Sequence, residues 1–187
     1  MKKQLLLLPV LITIVLLFDG CATTGGKINE RRHPDAVLTD ERIEKRAFHD
    51  LNADAEISES CHIKINAYNG LTLISGEAPS KELRNKIIAI VRIIPHVKSV
   101  HNEVLIARPS SVESRDNDAL ITDNLRMVLA DIRNIPGFNG TEISAVTTNG
   151  VVYLMGLVHK NEGAAAIDAA RQVIGVKKIV TKFEYID

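Results

Sequence analysis

One pattern is written twice in this chain. Residues 63–76 (IKINAYNGLTLISG) return as residues 143–156 (ISAVTTNGVVYLMG), with Asn69-Gly70 matched by Asn149-Gly150 and Gly76 by Gly156, each 80 positions on. A tandem repeat constrains folding strongly, because each copy must form the same supersecondary unit and bury an equivalent apolar face. In the first copy, Ile43, Ala47 and Leu51 recur every four residues over Asp40–Leu51, with Thr39 or Asp40 available as N-cap; this spacing predicts a short amphipathic helix. Asn52–Ser60 is polar and reads as a turn. Cys61–Tyr68 alternates, Asn69-Gly70 supplies the positive φ values of a tight hairpin, and Leu71–Ser75 returns. Ser80–Ile94 places Leu83, Ile87, Ile90, Val91 and Ile94 on one helical face; Pro95 stops that helix, and Val97–Ala107 reads as a third strand.

The unit is therefore αββαβ, and the second copy repeats the order. Its helices are expected over Asp118–Arg133 and Glu162–Ile174, its hairpin over Glu142–Met155 and its last strand over Val176–Ile186. The offset falls to 79 between Val97 and Val176, and His96 occupies the place of Gly175, so the Pro95-His96 turn of the first copy is atypical. Between the copies, residues 108–117 contain Pro109, three serines and mixed charge, the composition of a linker.

Ahead of the repeat stands a different kind of segment. Met1, Lys2 and Lys3 precede an uncharged, largely apolar stretch from Leu5 to Phe18. Its span of about 14 residues falls short of the roughly 20 of a bilayer crossing, and fits the h-region of a cleaved export signal over residues 1–20. Cys21 follows Gly20, as in bacterial lipoprotein signals, where the thiol takes a diacylglycerol and becomes the mature N-terminus. Phe18 and Asp19 depart from that pattern, and ordinary cleavage after Ala22 is the other outcome the small residues allow. By resemblance to sorted lipoproteins, Ala22 after the cysteine points to the outer membrane. Residues 21–38, with Gly25, Gly26 and Pro34 and no sustained apolar period, read as a flexible tether. The map is thus signal 1–20, tether 21–38, first unit 39–107, linker 108–117 and second unit 118–187.

Composition and motifs narrow the function by exclusion. The 23 basic and 23 acidic residues balance, so bulk electrostatics does not point to nucleic acid. With Cys21 assigned to acylation, Cys61 has no intramolecular disulfide partner and, by alternation with Ile63 and Ile65, points into a core. The histidines at 33, 49, 62, 96, 101 and 159 are scattered without metal-ligand spacing, and His62 reads as solvated on the face opposite Cys61. No nucleophile elbow, phosphate loop or dinucleotide fingerprint occurs. Glu77, Glu82, Glu162 and Asp168 read as helix-surface acids, and Gly76 and Gly156 as backbone needs at strand ends. The expectation is a non-enzyme without catalytic residues, metal or cofactor.

The stretches Thr147–Val158 (TTNGVVYLMGLV) and Gly175-Val176-Lys177-Lys178 carry a resemblance: each unit resembles a BON domain, and the pair resembles the dual-BON lipoproteins of Gram-negative bacteria. The resemblance covers residues 31 to 187. It implies an α+β fold of two tandem αββαβ BON domains, each a three-stranded mixed sheet with two helices on one face. It also implies a lipid-anchored protein on the periplasmic face of the outer membrane that binds an anionic phospholipid such as phosphatidylglycerol and supports envelope integrity and the outer-membrane protein assembly machinery. In that family the first helix of the second unit is the lipid-contacting element.

Placing residues of that helix at about 100° intervals puts Ile121, Leu125, Val128, Leu129 and Ile132 in a core stripe, and leaves Leu120 and Met127 surplus, about 120° from its centre. The candidate phospholipid-binding set is Leu120, Ile121, Asn124 and Met127, with Arg126 and Arg133 to meet phosphate. Packing of Leu120 and Met127 against the neighbouring unit is the competing reading. Asp118, Asp123 and Asp131 on the same helix argue against adhesion by charge alone. A protein-interaction adaptor for the assembly machinery is the alternative function.

The second hairpin strand of each copy is apolar at both parities, as in Leu71, Leu73 and Ile74 and throughout Val151–Met155. A sheet covered on one face alternates, so these sheets are expected to be covered on both, with the other unit as the cover.

Overall fold

The computed structural model describes residues 31–186. The expected signal, Cys21 and residues 22–30 of the expected tether lie outside that range. Helix α1 spans Pro34–Asn52; His33 caps it, its ring accepting from the Asp35 N–H at 3.3 Å, and Pro34 stands at the first turn, where a missing N–H costs nothing. The helix therefore starts ahead of the expected Asp40. Residues 34–38, assigned to the tether, are its first turns, and Asp40 is a buried residue inside it rather than its cap. Helix α2, Ala55–Ser60, replaces an expected turn; Asp54 caps it and Ile57 anchors it in the core.

Strands β1 (His62–Tyr68) and β2 (Leu71–Ala78) form the expected antiparallel hairpin, with Asn69 at φ 53° and Gly70 at φ 82°. Helix α3 (Lys81–Arg92), capped by Ser80, crosses over to β3 (Ser99–Ile106), which runs parallel to β2. The second unit repeats this with α4 (Val112–Ala130), β4 (Ser144–Thr148), β5 (Val151–Val158), α5 (Lys160–Arg171) and β6 (Lys178–Tyr185). Each sheet has its hairpin's second strand in the centre, β1-β2-β3 and β4-β5-β6. Two tandem mixed α+β units are thus present. Ser111 caps α4 by accepting from the Ser114 N–H, so Val112–Asn117 of the expected linker are helical, and the helix ends before Arg133. At the atypical turn, His96 takes φ 72°, the same left-handed backbone as Gly175 at φ 94°.

The helices cover one face of each sheet. Ile43, Ala47, Leu83, Ile87 and Val91 meet Ile74 and Val104 in the first core, and Ile121, Leu125, Leu129, Ala166 and Ala170 meet Val152 and Leu154 in the second. The opposite faces meet each other: Tyr68 and Leu73 are buried in one cluster with Tyr153 and Met155, which is why both parities of the central strands are apolar. Polar contacts register the two units. The Ser75 and Thr148 hydroxyls lie 3.0 Å apart, Lys64 Nζ donates to the Thr147 carbonyl at 2.8 Å, and the Tyr68 hydroxyl accepts from the Leu157 N–H at 3.0 Å. Burial in this layer, with Glu103 nearby, pushes the Tyr153 phenol up to about 12.

Two of the four acids expected on helix surfaces, Glu77 and Glu162, are interior. Glu77 is a strand residue, buried, accepting from the Ser110 N–H and hydroxyl at 3.2 Å and from the Asn149 side-chain amide of the other unit. His62, expected in solvent, is half-buried with Nδ1 3.1 Å from the same carboxylate. Glu162 is buried at the start of α5, accepting from the His159 N–H at 2.7 Å and, across the units, from Arg31, whose Nη2 lies 2.6 Å from Oε1. Glu82 and Asp168 are exposed, as expected. Cys61 closes α2 and packs against the first core, and burial pushes its thiol up.

The Arg31–Glu162 contact yields a pH prediction. The hydrogen bond from Arg31 is the main reason the Glu162 carboxyl is held below the ordinary carboxylate range. Its contribution is therefore complete above the unfolded value of about 4.3 and is lost as the pH falls through the lower folded value. Arg31→Gln should cost about 1–3 kcal/mol of stability at neutral pH. Denaturant titrations at pH 7 and pH 3 check this: the gap from wild type should shrink at the lower pH, and an unchanged gap would show that the carboxylate is not its source.

Candidate functional site

A single device in each unit fixes the first helix to the hairpin. Asp118, 1% exposed on α4, accepts the Asn149 N–H at 2.7 Å and the Gly150 N–H at 2.8 Å; Asp40 on α1 accepts the Asn69 and Gly70 N–H groups at the same distances. A tight turn leaves these donors pointing inward, and a buried carboxylate satisfies both. Arg32 adds a charge partner to Asp40 at 2.9 Å and stacks on the Tyr68 ring, 4.0 Å from its centroid. In the second unit the Thr122 hydroxyl, one turn on from Asp118, lies 2.9 Å from both the Asp118 carbonyl oxygen and the Thr147 hydroxyl. Asp118 is therefore a structural residue, not one of the surface acids that would repel an anionic partner.

With Asp118 facing inward, the rest of α4 is oriented. Ile121, Leu125 and Leu129 are buried, and Leu120 and Met127 point away, each 63% exposed. The surplus apolar pair thus does not pack on the neighbouring unit. Asn124 is exposed between them. Ile121 is a correction: at 2% exposure it is a core residue and cannot touch a partner on this face. Arg126 is exposed and 3.2 Å from Asp123; Arg133 lies in the loop beyond the helix, 3.6 Å from Asp131, so α4 itself does not present it.

Because Asp40 and Asp118 are equivalent, the two first helices align at an offset of 78. Leu120 and Met127 then correspond to Arg42 and His49, both exposed on α1. The Leu-Met pair is found in the second unit alone, although α1 exposes Phe48 at 70%, where α4 has Arg126. Beside it, Met127, Ala130, Gly140, Ile143 and Ala145 line an open groove of about 550 Å³ between α4 and the edge strand β4. The matching groove in the first unit, about 510 Å³, runs between Phe48, Leu51 and Ile57 on the helices and Ile63 and Ile65 on β1.

Sequence reasoning missed Asp40, Asp118, Glu77 and Glu162 as interior groups. For Glu162 a local signal existed, since its spacing from His159 is that of a capping box; for Glu77 the Asn69-Gly70 turn sets His62 opposite it, but its Ser110 and Asn149 partners lie 33 and 72 residues away. Among the described residues, no cluster of three or more His, Cys, Asp or Glu side chains could hold a metal ion, and no helix is long and apolar enough to cross a membrane.

The family model described as the BON domain matches residues 39–108 and again 117–187. Over 189 aligned residues the chain is 25% identical to the outer membrane lipoprotein DolP of Haemophilus influenzae, with 96% of each chain covered. It is 29% identical over 155 residues to the 21 kDa hemolysin of Actinobacillus pleuropneumoniae, covering 83% of this chain and 78% of that one. Among solved structures, the C-terminal domain of CdsD, a structural protein of the type III secretion system of Chlamydia trachomatis, matches at 15% identity and a TM-score of 0.31, over 79% of this chain and 67% of that one.

Proposed function

This chain belongs to the BON-domain family, with two copies in tandem, and on that premise we propose that it is a non-catalytic outer-membrane lipoprotein, anchored through Cys21 and facing the periplasm. In this reading its second BON domain binds anionic phospholipid and helps maintain outer-membrane integrity. The outer-membrane part rests on similarity to DolP across nearly the whole of both chains. The lipid-binding part rests on one observation: Leu120 and Met127 stand exposed on α4 where the sister helix has Arg42 and His49.

Burying a Leu or Met fully is worth about 1.5–3 kcal/mol, and shallow insertion recovers a fraction of that. A two-residue ridge is therefore a weak membrane ligand by itself. A protein already concentrated at the surface by an acyl chain needs no more. The mature chain carrying Cys21→Ser, which removes the anchor, should co-float with phosphatidylglycerol vesicles, and adding Leu120→Asp and Met127→Asp should cut retention about tenfold. Equal retention of that variant would show that α4 is not the lipid site.

The adaptor reading has its own support in the first unit's groove, where apolar side chains of α1 and α2 flank the edge strand β1. An edge strand beside an apolar groove suits an added peptide strand. Crosslinking of an assembly-machine component through the first unit, with no retention by vesicles, would favour it.

A further inference from the structure

Helix α4 lacks the charge that its proposed partner calls for. Its exposed residues include Glu113, Asp116 and Asp123 against Arg126, and Arg126 is already engaged by Asp123. Attraction to an anionic surface must come from another element. The turn from α5 to β6 packs directly on this helix: a Cβ placed on Gly175 would lie 2.8 Å from Ile121 Cδ1 and 4.0 Å from Asn117 Nδ2. At about 100° per residue, that flank of α4 is the one reached from Leu120 by way of Asn124. The turn and the apolar ridge are therefore neighbours on the outside of the second unit.

Two features of the turn fit a lipid surface. Ile174, at its tip, is 92% exposed, the most exposed large apolar side chain among the described residues. Lys177 and Lys178 follow, both exposed, Lys178 at the rim of β6 on the sheet face that Val151 and Val180 share; neither has a carboxylate partner among the described residues, whereas Arg171 is paired with Asp168 at 2.7 Å. The Lys177 stem lies against Gly150, which leaves its ammonium to the outside. The equivalent turn of the first unit, at an offset of 79, carries Pro95 for Ile174 and Ser99 for Lys178, keeps Lys98 for Lys177 with its stem against Gly70, and exposes Ile93 at 82% two residues ahead of Pro95. What the second unit's turn adds to the lysine that both turns share is an isoleucine at the tip and a second unpaired cation, in the unit that also carries the exposed ridge.

We infer that the α5–β6 turn is a second membrane contact, in which Ile174 enters the headgroup boundary beside Leu120 and Met127 while Lys177 and Lys178 meet the phosphates of anionic phospholipid. This rests on the reading of α4 as lipid-facing and assigns the two kinds of attraction to two elements. The ridge supplies an apolar, salt-insensitive part, and the lysines supply the selectivity for anionic lipid, which salt screens.

The test uses the mature Cys21→Ser chain with vesicles of phosphatidylglycerol or of phosphatidylcholine, at low and high salt. Lys177→Gln with Lys178→Gln should lower partitioning onto phosphatidylglycerol about 20-fold at low salt and flatten its salt dependence. Ile174→Ser should lower it several-fold at both salt concentrations. All three positions are exposed, so the thermal midpoints should stay at the wild-type value. Wild-type partitioning and salt dependence in the double-lysine variant, with Leu120→Asp/Met127→Asp still defective, would overturn the turn contact and leave the α4 reading intact. Absence of wild-type binding to phosphatidylglycerol would overturn both. Binding lost in the turn variants but kept in the ridge variant would overturn the α4 reading and the shared surface.

Discussion

Gly76→Ala should come close to unfolding the first unit, while Gly156→Ala, at the matching position of the repeat, should be tolerated. Gly76 has φ +124°, and a Cβ there would lie 1.9 Å from the carbonyl oxygen of His62, a backbone atom on the paired strand that cannot step aside without breaking the β1–β2 register. A side chain at such a φ and such a contact should cost at least about 3 kcal/mol. Gly156 has no positive φ, and its added Cβ would meet side-chain atoms of Ile143, Val158 and Phe183 at 3.3–3.6 Å. Small rotamer shifts absorb that, so the cost should stay within about 1 kcal/mol. Urea denaturation of both variants decides the matter; equal losses would show that the two glycines do the same work. The sequence offers no way to tell them apart, because the difference lies in the approach of β1 and not in the residues that flank each glycine.

Asp118→Ala should be the most damaging substitution on α4 short of its core. It strips the acceptor from the Asn149 and Gly150 N–H groups, leaving one half-buried and one buried donor without a partner at the turn that sets the second hairpin. Each charge-assisted bond of this kind is worth about 1.5–3 kcal/mol; removing the buried carboxylate also removes its desolvation cost, which offsets part of the sum of two, and the expected total loss is about 2–4 kcal/mol. For a body of this size that is a drop in thermal midpoint of roughly 5–15 °C. Asp123→Ala, five residues along the same helix and exposed, should stay within about 0.5 kcal/mol. Similar midpoints for the two variants would sink the assignment of Asp118 as a turn anchor. Asp118→Asn should fall between them, since an amide oxygen can accept one N–H while its NH₂ faces the other.

These two cases show where the chain was legible and where it was not. The hairpins were readable because Asn-Gly, alternation and the 80-residue repeat are local signals, and the observed turns, strand order and second helices follow them. The cover on the second face of each sheet was also readable, from apolar residues at both parities. The starts of α1 and α4 were not. Pro34–Thr39 and Val112–Asn117 carry no apolar stripe, so periodicity placed both helices six residues late, although His33 and Ser111 were there as caps. Ile121 was counted with its exposed neighbour Leu120, yet one step along a helix turns a side chain by about 100° and here takes it from solvent into the core.

By itself, then, the sequence determined the duplicated αββαβ unit, its two Asn-Gly turns, its family and the surplus of apolar residues on one helix, all of which depend on residues close together in the chain. Only the tertiary structure decided which charges are interior and which apolar residues remain outside. Asp118 meets its partners 31 and 32 residues away, Glu77 meets Ser110 and Asn149 at 33 and 72, and Glu162 meets Arg31 at 131. Burial of a charge is a property of such distant contacts, since it becomes tolerable where the fold delivers donors to it. Asp118 and Asp123 look alike in the chain. One pins the hairpin, and the other lies in solvent beside Leu120 and Met127.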